Sequence, residues 1–233
     1  MNLSSSVLCA LIAAGAMFTA AFAMPQRAIV GGVTSKPGDF PYFASFDTGC
    51  GGTLIAPDIV LTAAFCEVPF DEIVSVYIGA YEVHSTSQGA VKRRCVAWIS
   101  DPDFDQTNLT SSNLALCKLD EPVTIDDSLV SVELNADDSF PLAGTDAIVM
   151  GLGSELPIDP LSDELGESYS GILKNITLPI IDNAQCLTQI TEAFATYVAE
   201  TGVDIGIEID VGQQNICIVS AAGGEGICVK DEG

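Results

Sequence analysis

The sequence predicts a β-rich globular protein, and three observations carry that prediction. Hydrophobic residues make up 48% of the 233-residue chain, which also holds 21 glycines; this composition suits packed strands and turns better than a disordered chain. The segment CGGTLIAPDIVLTAAFC, Cys50 to Cys66, contains two apolar runs, Gly51–Ala56 and Ile59–Ala63, hinged at Pro57-Asp58. Apolar, partly β-branched runs flanking a turn dipeptide predict a hairpin. Glu72–Gly79 (EIVSVYIG) alternates apolar and polar residues as a strand does. The length allows one large domain or two small ones.

The chain begins with a long apolar run, VLCALIAAGAMFTAAFA, ending in Ala21-Phe22-Ala23. The small-x-small ending predicts a signal peptide over 1–23, cleaved after Ala23. The run is short for a membrane span and lacks flanking charge. The mature protein is therefore expected to be secreted, extracellular and free of the membrane. A net charge of −24, from 32 acidic and 8 basic residues, excludes nucleic acid and anionic membranes as natural partners by repulsion.

Eight cysteines, less Cys9 in the signal segment, leave seven in the mature chain. In an oxidising compartment seven allow three bridges and one odd thiol. A Cys50–Cys66 bridge would close a short loop and stabilise it by about 3 kcal/mol. No CxxC pattern occurs and His84 is the single histidine, so neither a metal nor another cofactor is expected. Asn108 and Asn175 head glycosylation sequons.

In chain order, Met24–Ala28 reads as a short basic pro-segment, followed by Ile29-Val30-Gly31-Gly32 and then the hairpin. His84 falls in a polar loop, where a lone imidazole is ordinarily solvated. Lys92-Arg93-Arg94 is the basic cluster, expected as a solvated strand end. Val96–Phe104 and Asn113–Leu119 follow; Cys95 and Cys117 could face each other across their ladder as an additional bridge. Thr124–Phe140, acidic and turn-rich, links two β units. Asp146–Met150 predicts a strand running into Gly151-Leu152-Gly153. Leu187–Glu200 has apolar residues at helical spacing, predicting a surface helix with one buried stripe. Val203–Val211 alternates with Asp204, Glu208 and Asp210 on one face, a charged edge strand rather than a calcium loop. The chain closes on Cys228-Val229-Lys230-Asp231-Glu232-Gly233.

These landmarks resemble the trypsin-like (chymotrypsin-fold, S1) serine peptidases. IVGG resembles their activated N-terminus, CGGTLI…VLTAAFC their CGGxLI…VLTAAHC signature, NLALCKL their D-I-A-L-L-K-L strand, and the final CVKDEG their C-x-G-D-S-G-G motif. The resemblance runs from Ile29 to Gly233. It implies an all-β fold, a trypsin-like double antiparallel β-barrel. The first barrel would span 29–129, and the second, 141–233, would be incomplete at the C-terminus, where the family's closing strands and helix are missing.

The resemblance also places the family's chemistry residue by residue. The catalytic histidine position holds Phe65, whose ring has no lone pair to accept a proton. The orienting aspartate position holds Asn113, without charge to stabilise an imidazolium; in an intact triad that change costs about 10⁴ in rate, a figure from the general account of this same triad. The nucleophile position holds Glu232, and Lys230 replaces an oxyanion-hole glycine; a carboxylate there repels the developing oxyanion. Ile29 and Asp231 match the activation pair, although a cut after Arg27 would leave Ala28 in front of Ile29. Gly226 falls where trypsins keep their specificity aspartate. Disulfides are implied at Cys50, Cys66, Cys186 and Cys217, while the usual partner of Cys228 lies in the missing part. The implied function is that of a secreted, non-catalytic homologue binding an unidentified protein as decoy, inhibitor or cofactor. A trypsin-like endopeptidase with a reassigned triad, through His84 and a serine such as Ser220, is the alternative. A truncated product without function is the third reading.

Overall fold

The computed structural model describes residues 32–69, 72–105, 112–126, 129–137, 141–152, 171–202 and 216–218. Six strands close into an antiparallel barrel: β2 (Phe43–Phe46), β3 (Gly51–Ala56), β4 (Ile59–Thr62), β5 (Val74–Ile78), β6 (Val91–Ser100) and β7 (Ala115–Leu119), in the order β2-β3-β4-β7-β6-β5 with β5 returning to β2. β1 (Val33–Thr34) belongs elsewhere. Alternation in the sequence becomes alternation in burial: β7 reads buried, half-buried, buried along ALCKL. Period-two side chains must face opposite sides of a pleated strand, so each strand sends every second residue inward. Phe46, Leu54, Val60, Val76, Ile78 and Cys117 fill the interior with no exposed surface.

The hairpin forms as expected, with β3 and β4 paired Leu54↔Val60 and Ala56↔Ile59 across a bulge. Its turn is tied to the rest of the barrel. The Pro57 and Asp58 carbonyls accept from the N–H groups of Val123 (2.7 Å) and Leu119 (2.9 Å), and the Asp58 carboxylate pairs with the Lys118 ammonium. Gly52 must be glycine because of a close approach. A Cβ there would meet Val60 Cγ1 at 2.8 Å and the Leu61 carbonyl at 2.9 Å, inside van der Waals contact.

The second sheet is organised on β9 (Lys174–Ile181). β8 (Asp146–Gly151) pairs along it from Asp146↔Pro179 to Gly151↔Lys174. At its start it pairs with β1, Val33↔Asn175, and at its end with β10 (Cys217–Ile218), Cys217↔Ile181. β1 thus leaves the segment assigned to the first barrel and joins the second sheet. The neighbouring Ile180 N–H donates to the Thr145 carbonyl at 2.8 Å, so the Pro179 nitrogen faces away from β8 and no bond of that ladder is lost. Phe43, Tyr77, Ala80, Leu152 and Leu173 form an apolar cluster joining residues of the barrel to residues flanking β8 and β9.

Among the described residues three disulfides are formed: Cys50–Cys66, Cys95–Cys117 and Cys186–Cys217, with Cα separations of 6.2, 5.6 and 6.0 Å. The second is the ladder bridge between β6 and β7. The third anchors α1 (Asn183–Thr201) to β10.

α1 carries Cys186 in its first turn and starts at Asn183 because Asp182 caps it: the carboxylate accepts from the Gln185 N–H at 2.9 Å. It ends at Gly202, left-handed at φ 71°, whose N–H reaches the Val198 carbonyl. The expected buried stripe is absent at Leu187 and Ile190, 38% and 40% exposed; Cys186 is the residue of this helix that is buried among those described. The disulfide to Cys217 fixes the first turn of the helix. No helix among the described residues is long and apolar enough to cross a membrane.

Candidate functional site

β4 runs directly into a short 3-10 turn, Ala64–Cys66, and the Cys50–Cys66 disulfide ties that turn to the start of β3. Thr62, buried at the end of β4, donates its hydroxyl to the Gly51 carbonyl at 2.7 Å. The ladder partner of Thr62 is Ala115, the first residue of β7. Asn113 lies two residues before it, alongside the turn. The Phe65 N–H accordingly donates to Asn113 Oδ1 at 3.1 Å. This contact joins the two positions that the sequence assigns to base and orienter. Phe65 is 40% exposed, and neither side chain is a titratable group.

Residues 29–233 match the family model for trypsin. The chain belongs to the trypsin family. Brachyurin of Leptuca pugilator is 31% identical over 209 residues, covering 88% of this chain and 79% of brachyurin. Serine protease 1 of Canis lupus familiaris and trypsin of Sus scrofa are each 27% identical over 161 residues, 68% of this chain. The matches span 60% of the dog protein and 64% of the pig protein, under two thirds of their length. The trypsin-family fold agrees with the closed six-stranded barrel and the β9-centred sheet.

The remaining expected site residues divide sharply. Ile29, Asp231, Glu232, Lys230, Gly226, Ser220, Cys228 and Asn108 lie outside the described residues, as does the Val203–Val211 segment. Asn175 lies within β9, paired to both β1 and β8, and its amide donates to Ser35 Oγ at 2.8 Å. No group of three or more metal-ligating side chains occurs among the described residues.

His84 is exposed, as a loop histidine should be, but its placement was not foreseen. It sits at φ 52°, the left-handed region, with its ring 5.8 Å from that of Tyr77. It borders a pocket of about 310 Å³ together with Cys50, Gly51 and Leu152. His84 and the start of the hairpin thus line one pocket, which Phe65 and Asn113 do not. Only the fold of the 79–84 segment back over β2 and β3 could reveal this.

The basic cluster is a structural feature of this trypsin-family barrel. It lies at the start of β6, with Lys92 and Arg94 exposed and Arg93 half-buried. Lys92 Nζ stands 5.2 Å over the Tyr77 ring, and Arg93 donates to the Glu121 and Pro122 carbonyls. Arg94 pairs with Asp120 at 2.8 Å. Hydrogen bonds from the Arg94 backbone and then its guanidinium hold the Asp120 carboxyl below its ordinary value of 3.8. A depressed carboxyl stabilises the fold fully above its unfolded pKa and loses that contribution as pH falls through the folded value. Asp120→Asn should therefore unfold at lower urea than the parent at pH 7. As pH falls below 3.8 and through the lowered folded value, the two midpoints should draw together.

Proposed function

We propose that this chain is a secreted trypsin-family homologue that binds a protein partner and does not cleave peptide bonds. The contact between the Phe65 N–H and Asn113 Oδ1 carries the reading. It supports the equivalence of these positions with the family's base and orienter, and neither phenyl nor amide can take up a proton from a nucleophile. Glu232 at the nucleophile position adds to this from the sequence. The apolar N-terminal run and the three disulfides support export into an oxidising compartment.

The purified protein should not hydrolyse a fluorogenic peptide amide beyond the buffer rate. Turnover that co-purifies with the protein and is abolished by a serine-directed inhibitor would overturn the reading. The names of the relatives favour the second reading, a trypsin-like endopeptidase. In that case the activity would have to run through His84, the single imidazole, and His84→Ala would abolish it.

A further inference from the structure

A second cleft, of about 360 Å³, opens between the Glu67–Pro69 loop and β6. Its lining residues include Pro69, Ile73, Val96 and Trp98, and Ile73 and Val96 are 71% and 54% exposed. Two β-branched side chains this open on a strand and its approach leave apolar area facing water. The cleft also holds two carboxylates, Glu67 and Glu72. Glu67 accepts from the Ser100 hydroxyl, a neutral donor that leaves its charge in place. Arg94 is the cation lining the cleft, and its guanidinium is engaged by Asp120. Among the described residues the cleft therefore presents two carboxylates without a free cation to offset them, beside an aliphatic surface.

We propose that this cleft docks a segment of a partner protein that presents an arginine or lysine beside an apolar residue. Charge complementarity selects the cation, since Glu67 and Glu72 attract it and the acidic surface as a whole steers it inward. The aliphatic stem of a long basic side chain covers apolar surface while its head stays charged, which matches Ile73 and Val96 next to the carboxylates. An acidic segment would meet repulsion, and a purely apolar one would strand the two carboxylates against it. The cleft is separate from the Phe65–Asn113 position, and its occupant is a ligand rather than a substrate.

This inference rests on the binding reading above but is tested independently of it. Trp98 is the single tryptophan of the chain, so its emission reports on the cleft. The probes are acetyl-Leu-Arg-Leu-amide and its citrulline and glutamate counterparts, titrated into the full-length protein with cleavage followed in parallel. The arginine peptide should shift Trp98 emission saturably, and the shift should weaken at high salt. Glu67→Gln/Glu72→Gln should weaken its binding about five-fold or more, two exposed ion pairs being involved. The Ile73→Ser/Val96→Ser variant should weaken arginine and citrulline peptides alike. All four positions are at the surface, and unchanged urea midpoints would confirm intact folds.

No shift with the arginine peptide, equal affinity for arginine and citrulline, or indifference to the glutamine variant would each overturn the proposal. Cleavage of the peptide together with the expected titration would overturn the non-catalytic reading and leave the cleft standing.

Discussion

Phe46→Ala should lower the stability of the protein by about 3–5 kcal/mol. Phe46 ends β2 with no exposed surface, and its ring stacks on Trp98 with centroids 5.7 Å apart. On another side its ring approaches the place where Gly52 has no side chain. The interior is thus shaped around this ring from β3 and from β6, strands that cannot collapse inward together without breaking the closed ladder. Truncation leaves a cavity as well as losing the transfer energy of the ring. Such a loss is a large fraction of the roughly 5–15 kcal/mol that holds an ordinary domain folded. Urea unfolding followed by Trp98 emission should show the midpoint falling with an unchanged slope. A loss under about 1 kcal/mol would mean that the barrel repacks freely, contrary to the rigidity argued from Gly52.

Removing the Cys50–Cys66 bridge, as Cys50→Ala/Cys66→Ala, should cost about 3 kcal/mol. The two cysteines are 16 residues apart, and the loop they close contains the whole β3–β4 hairpin. The chain-entropy account predicts destabilisation through the unfolded state, which gains freedom when the link is cut. A local effect should accompany it. The Ala64–Cys66 turn is held at one end by this bridge, and its Phe65 N–H makes the contact to Asn113. Hydrogen exchange at Phe65 should therefore accelerate more than exchange within β4. Equal acceleration at both would show that the turn is held by the barrel and not by the disulfide.

Legibility from sequence varied with the range of the interaction. The β3–β4 hairpin and β5 are readable, because period-two alternation and turn dipeptides are local signals; β7 is readable only through resemblance, and the Cys95–Cys117 bridge only as one possibility. Phe65 and Asn113 were readable as a pair only through resemblance; the hydrogen bond between them spans 48 residues and has no local signature. Three features escaped. The pairing of β1 with β9 depends on two residues, too few to show a period. The exposure of Leu187 and Ile190 reflects what α1 packs against, which spacing does not encode. The cleft beside β6 arises where the β6–β7 register shifts between Cys95 and Ala97, and such a bulge re-aims side chains without marking the sequence.

The crossing of β1 to β9 sets an order for assembly on the ribosome. Ser35 and Asn175, which bond side chain to side chain, are 140 residues apart. The six barrel strands are all synthesised once Leu119 has emerged, so the barrel can close while the chain is still growing. Val33 and Thr34 then wait, unpaired and exposed beside a finished barrel, until Lys174 and Asn175 arrive. Long-range pairings of this kind are the slow steps of folding and the moments when a strand edge invites a foreign chain. A nascent-chain trap at about residue 150 should therefore hold a protease-resistant barrel with a protease-sensitive leader.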